Sequence, residues 1–262
     1  MSARFRFACH LITWVGEQRE NPEKVLSEVA SAGYEGVEGL PIQSSEQLVE
    51  MAALAAKYDL HIVNAGGPSP EARIEYNITL GNKAVEIPSR RRNDFGGPDP
   101  RDEDFLKAAE SIKDIIAYAQ EYHIKPFHHA HRGTMIETVE DAEKLLAAAP
   151  GLCLLFDTGH MLACGSDPLK VFENLGDRIG HVHLKDFTAE DPDTWDHRKS
   201  KWWDEGRFEE LGKGNMGFDV KAVLDGLRSV GYDGWISVEQ DRPTHHSPSE
   251  TARVNMEYLE SL

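Results

Sequence analysis

Short apolar segments of strand length alternate eight times with longer amphipathic segments along this 262-residue chain. The apolar segments cover residues 5–11, 34–40, 60–65, 83–87, 124–129, 152–157, 179–185 and 235–239, and the amphipathic segments cover residues 22–32, 45–58, 70–80, 102–122, 138–149, 167–175, 217–230 and 248–262. The two periods are those of buried strands and of surface helices. Eight strand-helix units in about 250 residues predict a single (β/α)8 TIM barrel domain over residues 1–262.

A doubly wound open sheet is the competing architecture. It would place a glycine-rich turn after the first strand, but residues 10–22, HLITWVGEQRENP, contain one glycine and cannot form the dinucleotide fingerprint. Two segments exceed the length of ordinary connectors, residues 89–101 and 186–216. Both follow strands, so we expect both as loops at the C-terminal mouth, where barrel enzymes carry their active sites.

The charge balance excludes some functions. The chain has 45 Asp and Glu against 28 Lys and Arg, a formal net charge of −17. Nucleic acids and anionic membranes attract clustered positive charge, so we expect neither as a partner. Three scattered cysteines, and charges at Arg4, Arg6 and Glu17 that interrupt the apolar N-terminus, indicate neither a disulfide framework nor a signal or membrane segment. We therefore expect a cytoplasmic enzyme that acts on a small molecule.

Polar side chains close the last four predicted strands, where they would point into the mouth. A buried carboxylate or imidazole at such a place must be solvated, paired or metal-bound. A mixed nitrogen and oxygen set suits a divalent ion such as Mn²⁺, Co²⁺, Zn²⁺ or iron, and suits calcium poorly. The residues are His129 and His131 on strand five, Asp157 on strand six, His181 and His183 on strand seven, and Glu239 on strand eight.

Several of these residues lie in segments that carry a resemblance to a known family. The segments are AGYEGVE (32–38), HAHRGTMIET (129–138), FDTGH (156–160), DRIGHVHLKD (177–186) and GYDGWISVEQD (231–241). Over essentially the whole chain, they resemble the xylose isomerase-like TIM barrel superfamily of sugar isomerases, epimerases and dehydratases. The strand-five segment, the Trp14 segment and the GWISVEQD ending are most similar to the inosose dehydratase branch. The resemblance implies metal ligands at Asp157, His183 and Glu239.

Strand five departs from the family pattern, because IKPFHHAH contains no glutamate where many of these isomerases and epimerases supply one. Strand alternation puts His129 and His131 on one face, which makes His129 the first choice for the fourth ligand and His131 the proton-transfer group. The two roles could be exchanged. Glu137 is a third candidate ligand, or else the partner of Thr134 in a helix capping box.

Other positions are candidates for contact with a substrate. Lys185 shares the face of His183 and is either a catalytic group or a charge-balancing one. Residues 90–92, RRR, could capture a phosphate or remain a solvated surface. Tryptophans 195, 202 and 203 could stack on a sugar or contact a second subunit of a homo-oligomer. The remaining candidates for substrate binding are Trp14, Glu38, Asn64, His160 and His181.

The chemistry these groups support begins with removal of a proton next to a carbonyl, and a divalent metal stabilises the resulting enolate. Return of the proton elsewhere gives an isomerase or epimerase of a keto-sugar or keto-cyclitol, which is our leading prediction because the compact segment ELGKGNMGFD (210–219) is similar to those enzymes. Loss of a β-hydroxyl gives an inosose-type dehydratase, favoured by strand five. A sugar-binding barrel without turnover and an endonuclease IV-like nuclease are the remaining alternatives.

Overall fold

The computed structural model describes residues 4–262. Its ten strands are β1 (Arg6–His10), β2 (Gly36–Glu38), β3 (His61–Ile62), β4 (Ala84–Glu86), β5 (Lys125–His129), β6 (Cys153–Asp157), β7 (Ile179–Leu184), β8 (Asp186–Ala189), β9 (Gly206–Glu209) and β10 (Trp235–Val238). Its α-helices are α1 (Glu17–Glu20), α2 (Pro22–Ser31), α3 (Ser45–Ala56), α4 (Pro70–Thr79), α5 (Asp102–Glu110), α6 (Lys113–Glu121), α7 (Val139–Ala148), α8 (Thr158–Ala163), α9 (Val171–Asn174), α10 (Trp202–Glu205), α11 (Val220–Ser229) and α12 (Pro248–Glu260).

Eight of the strands form one curled parallel sheet in the order β3-β2-β1-β10-β7-β6-β5-β4. The helices surround this sheet and bury their apolar faces against it, as in α11, where Val223, Leu224 and Leu227 are buried. The architecture is therefore the predicted (β/α)8 barrel. All eight parallel strands end at the same mouth, which brings the polar strand ends together.

Side chains bridge the two outer strands of the sheet, β3 and β4. Asn64 accepts a hydrogen bond from the backbone N–H of Glu86 at 3.0 Å, and Asn82 donates to the carbonyl of Ile62 at 3.0 Å. Arg73 on α4 donates to both Asn64 and Glu86. Among the described residues, backbone hydrogen bonds join all the other neighbouring strands of the barrel wall, whereas β3 and β4 are joined by these side-chain amides.

The pattern did not predict the short helices α1 and α8, and the predicted elements differ from the structure in three further places. The helix expected over residues 102–122 is two helices, α5 and α6, with the buried Ile112 between them. The helix expected over residues 167–175 is a 3-10 turn (Pro168–Lys170) followed by the single turn α9. The loop expected over residues 186–216 contains the antiparallel hairpin β8–β9 and the short helix α10.

This hairpin carries its own small apolar cluster over one side of the mouth. Phe187, Trp202 and Phe208 pack with Leu162 of α8, and Trp195 lies against the cluster. Long-range packing of this kind holds a segment that would otherwise be a mobile loop. In the part of the chain that the structure describes, no helix has both the length and the apolar character that a membrane crossing requires.

Candidate active site at the barrel mouth

Four side chains converge at the carboxyl ends of four neighbouring strands. His129 ends β5, Asp157 ends β6, His183 lies near the end of β7, and Glu239 follows β10. Each offers one ligand atom, and these atoms all lie within 4.8 Å of one another. The structure thus brings together the set that the sequence predicted as metal ligands.

The geometry within this set fits a metal ion. His183 Nδ1 lies 2.5 Å from Glu239 Oε2 and 3.6 Å from Asp157 Oδ2, and His129 Nε2 lies 3.1 Å from Asp157 Oδ2. Nevertheless, His183 Nδ1 and Glu239 Oε2 are buried and make no properly oriented hydrogen bond. Buried polar atoms without partners are uncommon and call for an explanation. Two imidazole nitrogens and two carboxylates are donors that zinc, manganese and cobalt accept.

Lys185 balances part of the charge of this set. Its fully buried ammonium lies 3.6 Å from Asp157, 3.2 Å from Glu239 and 2.9 Å from Asp241. Its Nζ also lies 4.2 Å from the centre of the Phe208 ring. The geometry supports the charge-balancing interpretation of Lys185 over direct contact with a substrate. When His183 is neutral, as a metal ligand must be, Asp157, Glu239 and Asp241 with the ammonium of Lys185 leave two negative charges, which a divalent cation would neutralise.

The surroundings keep these groups charged. Burial alone would raise the pKa of Asp157, but Lys185 and the histidines around it hold that pKa well below its ordinary value. Glu239 behaves in the same way, because Lys185 and His183 outweigh its burial and lower its pKa. Burial alone would lower the pKa of His183, yet Glu239 and Glu38 raise it well above its ordinary value. Without a metal ion, therefore, His183 is an imidazolium between carboxylates.

Glu38, expected to bind substrate, lies inside the barrel behind His183. Its Oε2 accepts hydrogen bonds from His181 Nε2 at 2.8 Å, His183 Nε2 at 3.3 Å and Ser237 Oγ at 2.5 Å, and its Oε1 accepts from Asn64 Nδ2 at 2.5 Å. Burial alone would raise the pKa of Glu38, but the two histidines hold it well below its ordinary value. His181 and Asn64 instead line a cavity of about 440 Å³ at the N-terminal end of the barrel.

A second cavity, of about 450 Å³, opens at the mouth next to the four-residue set. His131 and His160, both expected from the sequence to act on the substrate, line it. Trp202 and Trp203, predicted to stack on a sugar, also line it, and so do Arg92 and Glu137, which the sequence marked as candidates for other roles. The lining residues that were not predicted come from the loops after the strands and include Arg132, His197, Arg198 and Asp241.

His131 and His160 face each other in this mouth cavity, with ring centres 3.7 Å apart. His131 Nδ1 lies 2.8 Å from the carbonyl oxygen of Arg132, which can only accept a hydrogen bond, so Nδ1 carries the proton and Nε2 keeps a lone pair. Burial lowers the pKa of both histidines. Both rings are therefore neutral near pH 7, and His131 Nε2 is available as a base.

Glu137 lies away from the four-residue set. Its carboxylate accepts from the backbone N–H of Gly133 at 2.6 Å and pairs with Arg198 at 3.1 Å and with Arg92 at 3.3 Å. Its carboxylate also comes close to Cys164 and His197, but the two guanidinium groups oppose a cation there. The structure supports neither a ligand role for Glu137 nor the phosphate capture considered for the 90–92 run, since the buried Arg92 is bound to carboxylates and carbonyls.

The capping box expected between Thr134 and Glu137 was wrong. Helix α7 begins at Val139, with Thr138 as its N-cap and Asp141 as the reciprocal partner. Thr134 instead donates to backbone carbonyls of the preceding turn, among them that of His131 at 2.8 Å. The structure also gives no support to a substrate role for Trp14, which is buried in the core and donates its indole N–H to Glu28 at 2.8 Å.

Comparison with known proteins agrees with this architecture. Residues 26–262 match the family model described as the xylose isomerase-like TIM barrel. The chain belongs to this family. Because the match begins before β2 and runs to the last residue, it includes every element that supplies the four-residue set.

Curated relatives include proteins named inosose dehydratase. The protein of that name from Lacticaseibacillus casei is 30% identical over 167 residues, which are 61% of this chain and 55% of that protein. The first relatives are thus matched over about half of their length. An inosose dehydratase from Mesomycoplasma hyopneumoniae strain J is 26% identical over 267 residues, covering 92% of this chain and 88% of that protein.

A solved structure supports the fold independently. The IOLI protein, determined with a bound zinc atom, superposes with a TM-score of 0.71 at 17% identity, over 98% of this chain and 97% of that chain. At this level of identity the likeness shows a shared fold alone.

Proposed function

We propose that this protein is a divalent-metal-dependent dehydratase that acts on an inosose-type keto-cyclitol or a related keto-sugar. The observation that carries the proposal is the pairing of the four-residue set with two neutral histidines, His131 and His160, across the mouth cavity. The names of the curated relatives support the same reaction class and substrate.

The metal ion would be held by His129, Asp157, His183 and Glu239. A divalent ion at this position supplies Lewis-acid stabilisation for the negative charge that develops on a substrate carbonyl when the neighbouring carbon loses its proton. Mn²⁺, Co²⁺ and Zn²⁺ all suit these donors.

His131 is the proposed base, because it lines the cavity, its Nε2 keeps a lone pair, and a histidine near neutrality is matched to proton transfer. In the reaction, the C–H bond next to the carbonyl breaks and its proton passes to His131. The electron pair forms the new carbon–carbon double bond, and the β-hydroxyl leaves as water with the proton that His131 has taken up. The neutral ring of His160, whose centre lies 3.7 Å from that of His131, is placed to hold the departing hydroxyl by a hydrogen bond.

The buried aromatic cluster beside the cavity would limit the access of water from one side. Trp202 stacks parallel to His160 and lies within the apolar cluster of the β8–β9 hairpin. Charge stabilisation is stronger in a site from which water is excluded. Trp202 and Trp203 also provide apolar surface for the C–H faces of a ring substrate.

The experiment is to load the purified protein with Mn²⁺ or Co²⁺ and incubate it with an inosose in deuterated buffer, with NMR as the readout. A dehydratase gives loss of the β-hydroxyl and a new unsaturated or diketone product. Deuterium incorporation without dehydration, or a stereoisomeric product, would instead support an isomerase or epimerase.

Isomerase or epimerase activity is the second candidate. The observation in its favour is Glu239, a carboxylate of the metal set whose second oxygen lies at the mouth beside His10, 4.0 Å away. Epimerisation needs an acid-base group on each face of the substrate, and a keto-sugar such as a ketohexose tests this directly. Stereochemical inversion of the ketohexose without water loss would favour this candidate.

A further inference from the structure

Glu38 occupies a position in the barrel that neither a substrate contact nor a simple core role explains. It is 2% exposed and lies at the end of β2, on the side of His183 opposite to Glu239. Its two oxygens accept four hydrogen bonds, from His181, His183 and Ser237 on the two strands β7 and β10 and from Asn64. A buried carboxylate with this many donors is fixed in place.

The two nitrogens of His183 therefore face two different carboxylates. Nε2 lies 3.3 Å from Glu38, and Nδ1 lies 2.5 Å from Glu239 within the proposed metal set. A carboxylate can only accept, so Glu38 requires a proton on Nε2. When the ring is neutral, as a metal ligand must be, the lone pair is then on Nδ1, the nitrogen that faces Asp157 and Glu239.

Glu38 is itself held by Asn64, whose side-chain amide can adopt only one orientation. Asn64 donates to Glu38 through Nδ2, while its Oδ1 accepts from the backbone N–H of Glu86 and from Arg73. If the amide of Asn64 were rotated by 180°, its NH2 group would face two other donors, the backbone N–H of Glu86 and the guanidinium of Arg73. An amide in place of the Glu38 carboxylate would likewise place a donor against Asn64, or against His181, His183 and Ser237.

We propose that Glu38 is a positioning residue that fixes the ring of His183 so that Nδ1, with its lone pair, faces the metal set, and that it contacts no substrate. Carboxylates that accept the second N–H of a ligating histidine commonly orient it in this way. The inference rests on the metal site proposed above. It replaces the expected role of Glu38 in substrate binding.

The first test needs no variant. Protein with ¹⁵N-labelled histidine is loaded with Zn²⁺, and long-range proton–nitrogen correlations identify the protonated and ligated nitrogens of His183, assigned by their loss in His183→Gln. We expect the proton on Nε2 and zinc on Nδ1. Ligation through Nε2 overturns the proposal, and so does a protein that binds no zinc, which also overturns the metal site.

The second test measures Mn²⁺ and Co²⁺ dissociation constants by calorimetry. Glu38→Gln is expected to weaken binding by about 10- to 100-fold, the usual effect of losing such a partner. The matched control is Glu210→Gln, a fully buried carboxylate bonded to His246 and Thr251, which should leave the metal affinity unchanged. Folding of each variant is checked by circular dichroism.

Unchanged metal affinity in a folded Glu38→Gln protein overturns the inference while leaving the metal site and the dehydratase proposal intact. If Glu38→Gln does not fold, Glu38→Asp takes its place. Its shorter side chain cannot keep all four bonds, and an affinity equal to that of the wild type again overturns the proposal. A loss of activity with an inosose but normal metal binding in either variant would also overturn it, because it would indicate a contact with substrate.

Discussion

The side chain of Lys185 lies across Gly159, where a methyl group would stand 2.5 Å from Lys185 Cγ. Gly159 is in α8, directly after the strand that carries Asp157, so a small residue is needed there for the ammonium to reach the carboxylates. The FDTGH motif thus contains both the candidate ligand Asp157 and the glycine that leaves room for Lys185, the cation that balances its charge.

This relationship predicts the effect of Gly159→Ala. The added methyl group should displace Lys185 and destabilise the protein by about 1 to 3 kcal/mol, the usual cost of overpacking. Chemical denaturation measures this cost. In a Lys185→Met background, Gly159→Ala should destabilise the protein less. The methionine side chain is flexible and is not tied by ion pairs to the carboxylates, so it can move away from the added methyl group. Equal costs in the two backgrounds would contradict the steric coupling.

Strand five offers a separation of metal binding from proton transfer. His129→Ala should lower metal occupancy, since it removes one of the four donors. His131→Ala should keep the ion and reduce turnover by about 10²- to 10⁴-fold, as expected for a general base. Metal analysis and steady-state kinetics of both variants distinguish these outcomes. The opposite pattern would exchange the two roles.

Metal binding should release a proton. Glu239 and Glu38 raise the pKa of His183 despite its burial, so its ring is doubly protonated near neutrality and must lose the Nδ1 proton before it can ligate. The apparent affinity should therefore rise by about tenfold per pH unit below that raised pKa. Calorimetry in buffers of different ionisation enthalpy counts the released protons. Binding with no release would contradict the charged state of His183.

The net charge of −17 predicts no salt-sensitive binding to duplex DNA and no incision at abasic sites. Gel-shift and cleavage assays with the metal-loaded protein test both. Incision that disappears in Asp157→Ala would promote the nuclease alternative over a sugar or cyclitol enzyme.

The sequence predicted the parts of this molecule that depend on local pattern. Alternating strand and helix periods predicted the barrel, and because parallel strands end at one mouth, they also predicted that Asp157, His183 and Glu239 would meet. The placement of His129 followed from alternation within β5. Each of these inferences needs only the period of the chain and the closure of the sheet.

The parts that were missed depend on contacts between distant segments. No glycine or proline near Ile112 predicts the end of a helix. The interruption between α5 and α6 goes with the burial of Ile112 in the core, which only the structure shows. The hairpin β8–β9 is stabilised by packing on Leu162, 25 residues before Phe187. The role of Glu38 depends on His183, 145 positions away.

The amide bridge between β3 and β4 determines how local opening of the barrel would affect the four-residue set. The four donors come from β5, β6, β7 and β10, which are consecutive in the sheet and joined by continuous peptide ladders. The gap between β3 and β4, which only side chains bridge, lies outside these four strands. Opening of the barrel at this gap would reach the four-residue set through two of the described residues. Asn64 bonds both Glu86 and Glu38, and the carboxylate of Glu86 lies 3.8 Å from His129 Nδ1.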